Sequence, residues 1–565
     1  MKAPNYPKPE KGYLSKPGDQ SCYEYLCECS SKIIKDVGDY TAFVNLDCET
    51  SVTQMIADVE KLAAYLQANG FKKGDVITVF LPTSAHAFIA FYALNKLGII
   101  CNMAHPLLPP DAIQEIIDIT KSKALFILDR AAGAYEKVIE NIFTIVCSTS
   151  DYTSDPIKPY VVADDAKNSN VPNLDTVHLY RDIMAGEYEK AETVRHLGKE
   201  TMYYLGGGGT TGRSKIIKLS SYAFNYVAYA CYIFDRDCKK HEYGNSYSLC
   251  VLPCFHAYGL GEGMHYFVCN AYSCILMPKF DAQKANDYVS RYNVKEIFGV
   301  PNMFKKMIEA DNFDNPGVKN LDFLSCGGDV VTKEFSETFN ARVRKNGADC
   351  PIYPGYGLTE VCALATANSK SYNKLGTVGL PVDGTEILIV DENRKELPVG
   401  EVGEIMIHSE TMMNGYLDDG YVENDGIWHD ENGVDWILTG DAGYLDEEGY
   451  LYISGRIKRI IIISGYNIYP ATIEQKVMLL DYVDEACAVQ GYDDNGKVCV
   501  KLCVVLNDNS LDKEQIKEEL FEYCKQNLGK YSVPRKIEFL DALPRTKMDK
   551  VDFMRLTENA PLITK

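Results

Sequence analysis

The chain has 565 residues, 46% hydrophobic and 24% charged, a globular composition too long for one core, so two or more domains are expected. It carries 58 Lys and Arg against 79 Asp and Glu, a net charge of −21. That field excludes general binding of nucleic acid or anionic membrane, so any bound phosphate must be held by local donors. The 19 cysteines are an odd number scattered through apolar runs such as 498–505. With no signal-peptide pattern at the N-terminus, they read as buried thiols of a reducing, cytoplasmic protein.

In chain order, residues 51–70 predict an amphipathic helix. Met55, Val59, Leu62 and Leu66 share one face, Ser51 or Thr53 is placed to cap it, and Asn69-Gly70 ends it. A strand follows at VITVFL, then a helix over about 84–98 and a strand at 124–128 (ALFIL). The alternation predicts an α/β layer with a mostly parallel sheet. The longest apolar stretch, 76–103, is interrupted by Ser84, His86, Asn95 and Lys96, so no membrane span is expected. Residues 150–195 are rich in Asp, Asn, Ser and Pro and read as a surface loop with little regular structure.

Residues 203–220, YYLGGGGTTGRSKIIKLS, are the centre of the chain's chemistry. Glycines let backbone N–H groups approach an anion, Thr210, Thr211 and Ser214 add hydroxyl donors, and Arg213 and Lys215 add charge. The set suits a triphosphate better than it suits a flexible linker. Gly207 to Ser214 also reads G-x-x-x-x-G-R-S, one residue from a Walker A loop. That reading needs a lysine where Arg213 stands and a helix where Ile216, Ile217 and Leu219 predict a strand. A glycine-rich loop between two strands is therefore expected.

Beyond it, a helix is expected near 221–233 and a strand at 247–252, followed by LPCFHAYGL. Cys250, Cys254 and His256 lack the second paired motif of a zinc site. IFGVPN at 297–302, LSCGGD at 324–329 and YPGYGLTE at 353–360 continue the α/β pattern. From 376 to 455 glycine-rich turns at close spacing (GTVGLPVDG, MMNGYL, LTGDAGYLDEEGYLYISGR) predict a β-rich subdomain. A small α/β unit closes the chain, with strands near 486–491 and 499–506 and helices near 471–480 and 512–527.

At this point the chain resembles the adenylate-forming superfamily: acyl-CoA synthetases, adenylation domains and firefly-type luciferases. The resemblance covers nearly the whole length. It rests on residues 72–98, GGTTGRSK at 208–215, LPCFHAYG, YGLTE at 356–360, TGD at 439–441, 455–470 and LPRTKMDK at 543–550, in the family's order. It implies an α/β fold with a large N-terminal domain of stacked α/β subdomains plus a β-rich subdomain (1–457). A small mobile α+β C-terminal domain (458–565) would turn on a hinge at Lys458. It implies ATP, Mg²⁺ and CoA as cofactors and a small carboxylic acid as substrate.

The resemblance also implies roles. Gly209, Thr210, Thr211, Gly212, Arg213, Ser214 and Lys215 would grip the pyrophosphate. Gly328 and Asp329 would help bind the nucleotide, and Tyr356 would offer a face for adenine to stack on, with Gly355 and Gly357 leaving room. Thr359 would donate to the α-phosphate. Glu360 would ligate the metal, since a phosphate-bound Mg²⁺ takes only one or two protein carboxylates. Asp441 would accept from the ribose hydroxyls, Arg456 would reach ribose or phosphate, and His256 would gate or line the acyl pocket. Lys550 would bridge the attacking carboxylate and the α-phosphate, and Gly465 would line the pantetheine tunnel. Phe255, Phe298, Val300, Gly327 and residues 361–364 would surround the acyl body.

The sequence departs from the family at Gly207-Gly208, where hydroxyl residues are usual, and at Ser214, Ile216 and Asp549. His256 stands where amino-acid-activating members place an aspartate against the α-ammonium. An unpaired buried charge there would cost about 3–5 kcal/mol, so an acid without an α-amino group, fatty or aryl, is expected. The expected activity is an acid–CoA ligase. A stand-alone enzyme that loads a separate carrier protein is the alternative, and a non-catalytic nucleotide or acyl binder the third reading.

Overall fold

The structure is a computed structural model that describes residues 1–4, 6, 12–153, 157–207, 215–235, 241–417, 426–463, 466–493, 496–508, 510–545 and 551–557. These residues group into two compact units. One comprises Met1–Gly207, Ser214–Glu386 and His408–Ile437, and the other is built chiefly from Ile387–Ile407 and Leu438–Lys565.

The first unit holds two large sheets, of seven and nine strands. In the seven-stranded sheet, Val76–Phe80 lies between Ile100–Met103 and Ala124–Leu128, all parallel. Every residue of Val76–Phe80 is buried, as expected of a strand covered on both faces. The helix Val52–Ala68 has Ser51 as its cap and buries Met55, Val59, Leu62 and Leu66.

The helix Ala85–Lys96 is buried at all 12 of its positions. The polar residues that interrupt this apolar stretch are engaged in the core. Asn95 Nδ2 donates to Ser221 Oγ at 2.8 Å, its Oδ1 accepts from Tyr23 N, and Lys96 Nζ reaches Glu60 at 3.1 Å and Thr193 Oγ1 at 2.7 Å. Buried amide and ammonium groups need such partners, and here they tie the helix to its neighbours. Among the described residues no helix is long and apolar enough to cross a membrane.

The segment 150–195 is more regular than its composition suggested. It forms the helices Lys158–Asn168 and Tyr180–Ala185 and the strand Val177–Leu179, which lies at one end of the seven-stranded sheet. Polar residues anchor it: Asp165 accepts from Arg130 Nη2 at 2.8 Å and from Ser150 N at 2.9 Å. A segment held by hydrogen bonds has no apolar periodicity to read.

In the nine-stranded sheet, Ser246–Cys250, Val294–Gly299, Phe323–Cys326 and Ile352–Tyr356 run parallel, so their C-terminal ends share one edge. The second unit contains the antiparallel pairing of residues 441–445 with 451–456. It also holds a three-stranded sheet, Val483–Tyr492, Val498–Leu506 and Lys536–Phe539. The helices Pro470–Val477 and Lys513–Asn527 bring Ile473, Val477, Leu520 and Cys524 to a core with Val500, Leu502 and Val504.

Candidate active site

The glycine-rich loop is set between strands, as the sequence predicts. Thr201–Gly206 and Ile216–Ser220 pair antiparallel, and Gly207 N donates to Lys215 O at 2.7 Å to close the base of the loop. Gly209, Thr210, Thr211, Gly212, Arg213 and Ser214 lie outside the described residues, as do Gly465 and Lys550.

The second of these strands brings a distant segment into the site. Asn414 N donates to Lys218 O at 2.8 Å, Lys218 N to Gly415 O at 3.0 Å, and Leu417 N to Ile216 O at 2.8 Å. This pairing fixes Tyr416. Lys215 Nζ lies 4.3 Å from the centroid of its ring, and its hydroxyl donates to Glu360 Oε1 at 3.0 Å. Burial and the neighbouring Glu360 carboxylate both push the phenol above its usual pKa, so it stays a neutral donor. Met413 N donates to Glu360 O at 2.8 Å, which fixes that residue's backbone as well. The carboxylate of Glu360 has no other hydrogen bond or ion pair among the described residues.

Glu360 and Thr359 sit on a 3₁₀ turn, Thr359–Val361, in the loop after Ile352–Tyr356. The loop is tight. Cys362 and Ala363 have φ of 54° and 84°, a left-handed conformation that costs a non-glycine residue of order 1–3 kcal/mol. Ala363 N donates to Leu358 O and Ala365 N to Tyr356 O, which hold the loop closed. A Cβ on Gly357 would stand 1.5 Å from Ala363 O, and one on Gly355 3.2 Å from Thr366 O. A side chain at either position would meet the chain's own backbone, which accounts for glycine at both. Gly328 has φ of 78° in the loop after Phe323–Cys326, and Gly327 N bonds Gly299 O at 3.1 Å. Asp329 accepts from Val330 N at 2.7 Å. Gly328, Asp329, Gly355, Tyr356, Gly357, Thr359 and Glu360 therefore lie at and just beyond the C-terminal ends of adjacent parallel strands, where open α/β sheets bind ligands.

His256 precedes a wide π-helical segment, Tyr258–Tyr266. Its ring lies 4.9 Å from that of Phe255, which in turn meets His105 at 4.5 Å. Tyr258 Oη reaches Ser325 Oγ at 3.3 Å, and its ring carbon lies 3.7 Å from the Cβ position of Gly327. Phe298, expected at the acyl body, is 3% exposed and packs between Phe267 at 4.8 Å and Phe323 at 6.1 Å. It belongs to the core. Cys250 Sγ donates to Gly263 O at 2.9 Å, and among the described residues no group of metal-ligating side chains gathers.

In the second unit, Asp441 and Arg456 are cross-strand partners, with Arg456 Nε 2.9 Å from Asp441 Oδ1. The carboxylate is buried, and Arg456 Nη1 also donates to Thr439 O at 3.1 Å. Lys458 lies in a short 3₁₀ turn, Ile457–Arg459.

Sequence reasoning missed one residue of the site and one buried acid elsewhere. Tyr416 is 56 positions from Glu360, and only the pairing of 414–417 with the glycine-loop strand reveals it. Glu262 lies within GLGEG, a pattern that reads as a turn, yet it is buried on the Tyr258–Tyr266 segment, and burial pushes its carboxyl up to about 8.

The AMP-binding enzyme family matches residues 32–417, and the AMP-binding enzyme C-terminal domain matches 472–550. The chain is 28% identical over 568 residues to a long-chain-fatty-acid–CoA ligase of Haemophilus influenzae, covering 97% of this chain and 96% of that one. It is 27% identical over 524 residues to a 2-succinylbenzoate–CoA ligase of Bacillus licheniformis, covering 91% and 95%. The anthranilate CoA ligase AuaEII in complex with anthranoyl-AMP shares the fold, with a TM-score of 0.78 at 19% identity over 96% of this chain and 97% of that one.

Proposed function

The chain belongs to the AMP-binding enzymes, and from that membership we propose that it is an AMP-forming acid–thiol ligase. In the first half-reaction a substrate carboxylate attacks the α-phosphorus of ATP, giving the acyl-adenylate and releasing pyrophosphate. In the second, the thiol of CoA attacks the acyl carbon, the thioester forms, and AMP leaves. Two relatives named as CoA ligases, one of a fatty and one of an aryl acid, each match over most of their length and support this reading.

The observation that carries it is the meeting of Lys215, Tyr416 and Glu360 at the base of the glycine loop. A cation, a neutral hydroxyl and a carboxylate are there fixed by two separate backbone pairings. Such a cluster suits a polyphosphate and its counter-ion, because phosphoryl-type transfer is catalysed mainly by positioning and charge neutralisation. A single carboxylate, with one oxygen oriented by Tyr416, fits a Mg²⁺ ion whose remaining ligands are phosphate and water. Bound there, the ion would neutralise charge on the phosphates.

The other roles follow the family pattern. The loop 209–215 holds the pyrophosphate through backbone N–H groups, hydroxyls and cations. Thr359 donates to the α-phosphate, Gly328 and Asp329 help bind the nucleotide, Tyr356 with Gly355 and Gly357 takes the adenine, Asp441 takes the ribose hydroxyls, and Arg456 reaches the ribose or a phosphate. His256 lines the acyl pocket. Lys550, in a C-terminal domain of 458–565 that turns at Lys458, neutralises charge during adenylation. Gly465 then lines the path of the pantetheine. The test is incubation with ATP, Mg²⁺ and a panel of acids, with and without CoA. Acid-dependent pyrophosphate release with a CoA thioester supports the reading. Pyrophosphate release that gives no thioester until a carrier protein is added would replace CoA as the acceptor.

A further inference from the structure

The turn Thr359–Val361 is held in place by a segment remote in sequence. Met413 N donates to Glu360 O at 2.8 Å, and Thr411 Oγ1 donates to Val361 O at 2.8 Å across 50 positions of chain. The Thr411 hydroxyl stands at the end of a line of buried hydroxyls. Its oxygen is 2.9 Å from Ser409 Oγ, which is 2.9 Å from Thr385 Oγ1. A carbonyl only accepts, so the Thr411 proton goes to Val361 O. Ser409 then donates to Thr411, and Thr385 to Ser409, whose oxygen also accepts from Thr411 N at 3.2 Å. Hydroxyls aligned in this way polarise one another, which strengthens the last bond of the line.

That bond falls where the backbone needs it. Cys362 and Ala363, next in the chain, have φ of 54° and 84°. Left-handed conformations of non-glycine residues persist only where the surroundings over-determine them. Val361 N and Ala363 N both bond Leu358 O, and Cys362 N bonds Thr359 O, so internal bonds set the shape of the turn. The bonds from Thr411 and Met413 instead set where the turn stands. Val361 is buried, so its carbonyl oxygen would have no ready exchange with water if the Thr411 hydroxyl were removed. One short segment, 411–416, thus fixes the turn's backbone through Thr411 and Met413 and the Glu360 carboxylate through Tyr416.

We propose that Thr411 is a positioning residue for the nucleotide and its metal ion. It acts through the turn, placing the Thr359 hydroxyl and the Glu360 carboxylate that the ligase reading assigns to the α-phosphate and Mg²⁺. The inference rests on that reading and adds the side chain that sets its geometry. A small displacement of correctly chosen groups costs binding and rate although no reacting group is lost.

The test measures MgATP binding to the full-length chain by calorimetry with no acid present, beside initial rates of acid-dependent pyrophosphate exchange. Thr411→Val keeps the size and branching of the side chain and removes the donor. It is expected to raise the Kd for MgATP about tenfold and to leave the KM for the acid within about twofold of wild type. Because Glu360 bears on the metal, the Kd for ATP in EDTA should rise less. Thr411→Ser keeps the hydroxyl and should hold MgATP affinity within about twofold of wild type. If Thr411→Val does not fold, Ser409→Ala decides: it removes the donor behind Thr411 and should raise the Kd for MgATP a few-fold. The inference is overturned if Thr411→Val binds MgATP as wild type does, or if Thr411→Ser is impaired as much as Thr411→Val. It is overturned equally if the KM for the acid rises as much as the Kd for MgATP, or, where Ser409→Ala decides, if that Kd does not move. A chain whose MgATP affinity follows the expectation but that exchanges pyrophosphate with no acid keeps this inference and loses the ligase reading. A wild type that binds no MgATP overturns both.

Discussion

Tyr416 donates its hydroxyl to Glu360 Oε1 at 3.0 Å while its ring lies beneath the ammonium of Lys215. One side chain thereby joins the carboxylate proposed to hold the metal to the cation that ends the glycine loop. A hydrogen bond to a charged group contributes about 1.5–3 kcal/mol. Tyr416→Phe is therefore expected to raise the KM for MgATP roughly tenfold or more while leaving the KM for the acid near its wild-type value. Initial-rate kinetics over both substrates check this, and an equal rise in both constants would point to general loosening of the fold.

The tight turn after Tyr356 makes a second expectation. Because a Cβ on Gly357 would collide with Ala363 O, and because Cys362 and Ala363 already hold strained conformations, Gly357→Ala should displace the whole loop. We expect activity to fall by at least about a hundredfold with a loss of stability of about 1–3 kcal/mol. Denaturant melts beside activity measurements separate the two effects. Ala363→Gly is expected to act the other way on stability, by relieving strain at a positive φ.

Asp441 and Arg456 offer a test of the ribose assignment. Asp441→Asn keeps the size of a buried side chain that the arginine contacts but removes the charge that would accept the ribose hydroxyls most strongly. The KM for ATP should rise about tenfold, and the effect should shrink with an ATP analogue that lacks the ribose hydroxyls. An equal effect on both nucleotides would make the carboxylate a structural partner of Arg456.

Glu262 predicts a pH dependence of stability. Burial raises its folded-state pKa from 4.5 to about 8. The folded chain therefore binds more protons at this group than the unfolded chain does between those values. The stabilising difference is fully present below 4.5 and is lost as pH rises through about 8, at up to about 1.4 kcal/mol per pH unit. The Tyr258 phenol and the Cys362 thiol are the titrating neighbours, and burial lifts both above this range. Glu262→Gln should flatten the slope of unfolding free energy against pH across this window relative to wild type. Parallel slopes would show the carboxyl to be solvated.

The parts of this molecule with apolar periodicity were legible in the sequence. The helix Val52–Ala68, the strand Val76–Phe80 and the setting of the glycine loop between strands all follow from side-chain pattern. The fully buried helix Ala85–Lys96 was legible as a non-membrane element because of Asn95 and Lys96, though their partners were not. The helix Lys158–Asn168 was hidden because its one buried residue is Asp165, held by Arg130. In the site, Glu360 and its neighbours were readable from their motif. Tyr416 depends on a strand pairing between residues far apart in sequence. The strain at Cys362 and Ala363 depends on backbone dihedrals that side-chain identity does not signal. Phe298 packs between Phe267 and Phe323, and side-chain composition alone does not tell a strand residue at the edge of a site from one in the core.

If the chain makes an acyl-adenylate and then a CoA thioester, Lys550→Ala should separate the two steps. With the acid that gives the fastest wild-type exchange, the two half-reactions are to be measured separately: acid-dependent ATP–pyrophosphate exchange, and thioester formation from supplied acyl-adenylate and CoA. Exchange is expected to fall by at least about a hundredfold while the thioester-forming step stays within a few-fold of wild type. Equal loss of both steps would contradict the division of labour, and a wild-type chain that forms no thioester from CoA would contradict the ligase itself.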